Sequence, residues 1–150
     1  MIDPQLALQL KQAGLVWHPA KRDNFMIPGG ELTDEVFTLN DQSILVQSVN
    51  GAYTVMFHGS AEWALDDVLV MDVVWLPSET QLREAIQLRL GGDTAQLTLH
   101  WNTTGYHCLL RHLEQDHAFD GLTAEQCYAH ALLFLLQREQ ATRSRWVSSA

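Results

Sequence analysis

The chain has only two cysteines, four prolines and nine basic residues in 150 positions, and no run of 18 apolar residues. Each shortage removes a class of protein. Cys108 and Cys127 are too few and too far apart for a disulfide framework, and they form no Cys-x-x-Cys pair of the kind zinc sites favour. Nine Lys and Arg against 18 Asp and Glu leave a formal net charge of −9, a field that repels phosphate backbones and excludes nucleic acid and anionic membrane as expected partners. The one local basic excess, Arg138, Arg143 and Arg145 beside Glu139, reads as a solvated helix end. Apolar stretches are broken at Asp66, Asp67 and Asp72, so no membrane span is expected. Met1-Ile2-Asp3-Pro4 has neither the basic nor the apolar region of a secretory signal, which makes the cytoplasm the expected location. Gly29-Gly30 and Gly91-Gly92 lack both the later Gly of a dinucleotide loop and the Gly-Lys-Ser/Thr of a P-loop. No cofactor is expected.

What is present is apolar: 47% of the residues, against 18% charged, a globular balance at the size of one domain, residues 1–150. Asp3-Pro4 is a helix start, with Leu6, Leu10 and Ala13 along one stripe and a stop at Gly14. An irregular segment from Leu15 to Asp34 follows. Strands are expected over 36–39, 43–47 and 53–58, the last two joined through Asn50-Gly51, a strong hairpin signal. Ser60 would cap a helix running to about Met71. Val73 to Leu76 is extended, because Pro77 keeps Leu76 out of the helical region. Ser78-Glu79-Thr80-Gln81 and Thr123-Ala124-Glu125-Gln126 are capping boxes, opening helices to about Leu90 and Arg138. Between them, Ala95 to Trp101 alternates cleanly, Tyr106 to Leu113 is the return strand, and His117 to Phe119 a third.

Read this way, the chain repeats itself. Phe57-His58-Gly59-Ser60-Ala61-Glu62 parallels Phe119-Asp120-Gly121-Leu122-Thr123-Ala124-Glu125 apart from one inserted Leu. The expected fold is α+β: two tandem α-β-β-α units, about 3–76 and 78–140, with antiparallel hairpins packed against four helices. Residues 141–150 are expected to be a frayed tail.

Candidates for chemistry are sparse. Cys108, His112 and His117 would be the ligands if a metal were bound, but the spacing is not that of a closed site, and no metal is expected. On a strand Cys108 and His112 share one face and His107 takes the other. Ser60 stands at a strand-to-helix junction without the flanking glycines of a nucleophile elbow, and reads as an N-cap. Glu62 and Asp66 lie four apart on one helical face, a solvated pair by default. No catalytic residues are assigned; an enzyme would use His58, Asp66 and His112.

Large apolar side chains concentrate in two places. One is the central segment with Trp63, Val70, Met71 and Trp75; the other is Trp17 with Phe25, Met26 and Ile27, placed to form a lid over a groove. Aromatic anchors are what interfaces use. The expected function is therefore a non-catalytic module that binds a protein partner or itself as a homodimer, through Trp17, Phe25, Trp63, Val70, Met71 and Trp75. A small-molecule binding domain with its groove between the two halves is the alternative, and a hydrolase-like enzyme the third reading. Gly14-Leu15-Val16-Trp17-His18-Pro19, Trp63-Ala64-Leu65-Asp66, Trp75-Leu76-Pro77-Ser78-Glu79 and Gln81-Leu82-Arg83 together resemble a family of small bacterial proteins, some labelled as pilus assembly proteins, over nearly the whole chain. The resemblance implies a bacterial source and a free-standing domain, and it supplies no functional residues.

Overall fold

Asp3 and Pro4 start a helix as their chemistry requires: the carboxylate accepts from the Gln5 and Leu6 amides at 2.9 and 3.1 Å, and proline occupies the first turn of α1, Pro4–Gln12. The helix closes on Gly14 at φ +101°, with Leu15 N–H donating to Leu10 O and Gly14 N–H to Lys11 O, both at 3.0 Å. That is a Schellman stop, which needs a residue at positive φ. The computed structural model describes residues 1–29, 35–40, 44–57, 68–91 and 93–149. The chain divides into two compact units, Met1–Leu15 with Pro77–Ala150, and Val16–Leu76. The class is α+β, with three α-helices and three three-stranded antiparallel sheets among the described residues.

The Val16–Leu76 unit holds two of the sheets. β1 (Asn24–Met26) lies between β2 (Val36–Thr38) and β6 (Val74–Leu76); β4 (Ala52–Phe57) lies between β3 (Ile44–Val49) and β5 (Val68–Leu69). The β3–β4 hairpin turns on Asn50 at φ 51° and Gly51 at φ +83°, the two positive angles that a type I′ turn demands. Phe25, Phe37, Leu39, Val55 and Val73 form the core, with Trp17, Ile27, Val68 and Val70 packed against it. Asp23 pins the approach to β1: its Oδ2 accepts from Trp17 Nε1 at 2.8 Å and from the Ala20 amide at 2.9 Å.

Two expectations for this unit change. The segment Leu15 to Asp34 contains a strand, β1, which periodicity misses because three residues are too few to alternate, and Phe25 and Met26 are both buried. The helix from Ser60 to Met71 is not continued in its second half. Val68 and Leu69 pair with Val55 and Thr54 of β4, and Val70–Asp72 makes a single 3₁₀ turn. β-branched Val68 packs on the aromatic core as a strand residue, and tertiary packing outweighs local helical spacing. Residues 58–67, with Ser60 and the first half of that helix, lie outside the described residues.

In the other unit, α2 (Glu79–Gln87) opens with the full reciprocal capping box. Gln81 N–H donates to Ser78 Oγ at 3.3 Å, and Ser78 N–H to Gln81 Oε1 at 2.9 Å. β7 (Gln96–Asn102), β8 (Gly105–His112) and β9 (Gln115–Gly121) form one antiparallel sheet in that order. The β8–β9 turn is Leu113 and Glu114 at φ 51° and 61°, a conformation that bulky residues avoid. α3 (Ala124–Ser148) has half a box: Thr123 accepts from the Gln126 amide at 3.1 Å, but Gln126 Oε1 takes the Leu122 amide at 2.8 Å instead of that of Thr123. It packs on β9, β8, α1 and α2, which is why its first half is buried on most sides, through Cys127, Tyr128, Ala129, Ala131, Leu132, Leu135 and Leu136. The helix runs to Ser148, ten residues past Arg138, where a frayed tail was expected, and is exposed from Gln140 onward. α1 belongs with α3 and the Val16–Leu76 unit has no described α-helix, so the described residues do not reproduce two α-β-β-α halves.

Candidate interaction site

The sheet of β7, β8 and β9 presents two chemically distinct faces because its side chains alternate. Register puts Leu97 opposite Leu110 and His117, and Leu99 opposite Cys108 and Phe119, all on the face that meets α3. Cys108 and Leu110 on the central strand are fully buried there. Leu97 and Leu99 on β7 are only half-buried, and Trp101, next along the same face, is 67% exposed. The apolar stripe thus continues past the helix layer onto the outer strand.

The two edges of this sheet differ as well. β9 carries Asp116 and Asp120 and is preceded by Glu114, whereas β7 carries no Asp, Glu, Lys or Arg along its whole length. Edge strands present unpaired backbone groups, and charged residues are the usual guard against another chain adding there. β9 is guarded in that way and β7 is not. Among the described residues no strand pairs with the outer edge of β7.

The cysteines are core residues of the same unit. Cys108 is 0% exposed on β8 and Cys127 is 0% exposed on α3, where its thiol donates to Tyr106 O at 3.0 Å. Burial, with the neighbouring Cys127, pushes the Cys108 thiol up to about 11, and burial with the Asp120 charge raises Cys127. At pH 8 a thiol of pKa near 11 is ionised to about one part in a thousand, and the thiolate is the nucleophile. An aromatic disulfide reagent is expected to leave both thiols unmodified in the native protein and to titrate both at once in denaturant. Fast native labelling would show that the burial is wrong.

Cys108, His112 and His117 do lie on one face, as alternation requires, but Cys108 and His112 are four residues, about 13 Å, apart along one strand. Among the described residues no three His, Cys, Asp or Glu side chains gather closely enough to hold a metal ion. The outer face brings together a different group. His107 Nδ1 is 2.6 Å from Asp120 Oδ1 and its Nε2 is 3.3 Å from Thr104 Oγ1, the order hydroxyl, imidazole, carboxylate. Two features separate this from a working triad. Asp120 is 80% and His107 35% exposed, so water screens the electrostatics that make such a relay effective. Thr104 Oγ1 is also 2.6 Å from Asn102 Oδ1, which takes the single hydroxyl proton that the imidazole would need to remove.

The residues singled out by sequence are dispersed. Phe25 is fully buried at the centre of the Val16–Leu76 core, and Trp17 and Val70 pack against that core. Trp75 is half-buried with its indole nitrogen enclosed and unpartnered among the described residues, and Met71 is 73% exposed. Trp17 and Phe25, with ring centroids 5.7 Å apart, serve as core and not as a lid. Trp63, His58 and Asp66 lie outside the described residues, and His112 stands at the end of β8. No described helix is long and apolar enough to cross a membrane. No protein-family model, characterised protein or solved structure matches the chain.

Proposed function

We propose that the protein is a non-catalytic, self-associating module whose copies pair through the outer edge of β7. The observation that carries this reading is the contrast between the two edges of one sheet, one guarded by carboxylates and the other without Asp, Glu, Lys or Arg and apolar on its inner face. Each copy has a formal net charge of −9, so two copies repel over most of their surfaces. β7 is where they can approach without placing like charges together. Antiparallel addition of β7 to its own copy would satisfy the outward backbone groups and make a continuous six-stranded sheet. It would also set Leu97, Leu99 and Trp101 beside the same residues of the partner, cross-strand pairs of the kind that stabilise sheets.

Light scattering on a sizing column tests this. From micromolar to submillimolar protein, a species of twice 17.0 kDa is expected. Thr98 and His100 project from the solvated face of β7, so Thr98→Lys with His100→Lys adds charge at the edge without disturbing the folded chain. That variant is expected to run as a monomer with an unchanged circular dichroism spectrum. A wild-type protein that stays monomeric throughout, or a dimer indifferent to both lysines, removes the reading.

A further inference from the structure

Three of the nine basic residues in this acidic chain line one cleft of about 400 Å3. Arg89 comes from just past α2, while Arg138 and Arg143 come from successive turns of α3; His112, at the end of β8, and Leu113 complete the wall. Arg89 is held from two sides. Its Nη1 donates to Ala85 O at 2.9 Å, and its buried Nε lies 3.4 Å from Glu139 Oε1 without hydrogen-bond geometry. Glu139 therefore offsets one guanidinium. Among the described residues Arg138 and Arg143 have no carboxylate partner.

Arg138 is not a loose surface charge. Its guanidinium carbon sits 5.3 Å above the centre of the Phe134 ring, and Phe134 in turn lies 4.4 Å from the His117 ring. A cation over an aromatic face is drawn to it by the ring's negative face, which restrains where the guanidinium sits. His112 Nδ1 is buried with no hydrogen-bond partner among the described residues. The turn that follows His112 puts Leu113 at positive φ beside the cleft, and backbone outliers of this sort gather at binding sites.

We propose that this cleft binds a small oxyanion, a carboxylate or phosphate group on a compact molecule, held by Arg138 and Arg143 with Arg89 and His112 at its margin. Two unpaired guanidinium groups sharing one cleft repel each other until an anion stands between them, and their planar forks match an oxyanion's paired oxygens. The site is independent of β7 pairing, since none of its residues lies on that strand. The His112 contribution to its pH dependence has a definite sign. Burial, Arg138 and His117 hold His112 below its ordinary value, and Arg89, Arg143 and Glu139 are the other charged groups lining the cleft. A bound anion offsets the positive charge of Arg138 beside the imidazole and raises its affinity for a proton, so His112 adds a gain in binding as pH falls, superimposed on the anion's own protonation.

Calorimetric titration of the whole chain with inorganic phosphate, and separately with citrate, decides the matter, with sodium chloride holding ionic strength constant. Saturable binding of at least one probe is expected, and the tighter of the two identifies the anionic group. Arg138→Gln and Arg143→Gln should each weaken it about tenfold or more. Imidazole resonances of His112 should titrate at higher pH when the probe is present, and affinity relative to His112→Gln should rise as pH falls, the probe's own protonation being common to both proteins. No saturation by either probe, or undiminished binding when both arginines are replaced, overturns the proposal.

Discussion

Gly105→Ala is expected to destabilise the sheet of β7, β8 and β9 by roughly 2–5 kcal/mol, whereas Gly51→Ala, in another hairpin, should cost about 1 kcal/mol. Both glycines have positive φ, +137° at Gly105 and +83° at Gly51, so both substitutions force an L residue into a conformation it avoids. The difference lies in what the new methyl group meets. At Gly51 nothing lies within 4 Å. At Gly105 the added Cβ would stand 2.7 Å from Gly121 O, a backbone atom of β9 opposite Tyr106, and that strand cannot swing away as a side chain would. Moving it also disturbs Gly121, where a Cβ would itself meet the Cys127 amide nitrogen of α3 at 2.9 Å. Urea denaturation followed by circular dichroism gives the comparison directly. Equal costs for the two substitutions would mean that conformational strain alone accounts for both and that the strand approach is looser than described.

The second large effect falls on the other unit. Phe25→Ala should cost roughly 3–5 kcal/mol, because the ring is fully buried and its removal leaves a cavity as well as losing transfer energy. Phe25 stands at the centre of an aromatic cluster, with ring centroids 5.7 Å from Trp17, 5.5 Å from Phe37 and 6.3 Å from Phe57. A unit as short as Val16–Leu76 holds little stability in reserve, so a loss of this size should be visible as fast amide exchange throughout its strands. Met71→Ala is the control. That side chain is 73% exposed, and its truncation should stay within about 0.5 kcal/mol. Sequence gives Phe25 and Met71 the same standing as interface candidates. A Phe25→Ala protein no less stable than Met71→Ala would show that the aromatic cluster is not the core of this unit.

Local chemistry was readable and long-range assembly was not. Asp3-Pro4, Gly14, Asn50-Gly51 and the Ser78 box all act within a few residues of themselves, and each makes the bonds its sequence announces. The Thr123 box is readable only in part, because Gln126 has a second amide within reach one residue earlier. The β8–β9 turn gives no Asn-Gly signal at all: Leu113 and Glu114 adopt positive φ there against their own preference. The arginine excess near Arg138 was visible, but Arg89 and His112 join it from distant positions, and no spacing rule connects them.

The sequence by itself determined where α1, α2 and α3 start and where α1 stops, which residues alternate across β7 and β8, and that the chain would be acidic. Those follow from backbone capping, side-chain direction and charge count, which a few neighbouring residues settle. Only the tertiary structure decided that Val68 and Leu69 join a sheet and that Phe25 is core. It alone made β7 the unguarded edge and assembled three arginines around one cleft. These outcomes depend on which surfaces meet. Burial energy is shared among residues far apart in the chain, and local preferences of a kcal/mol or less yield to it.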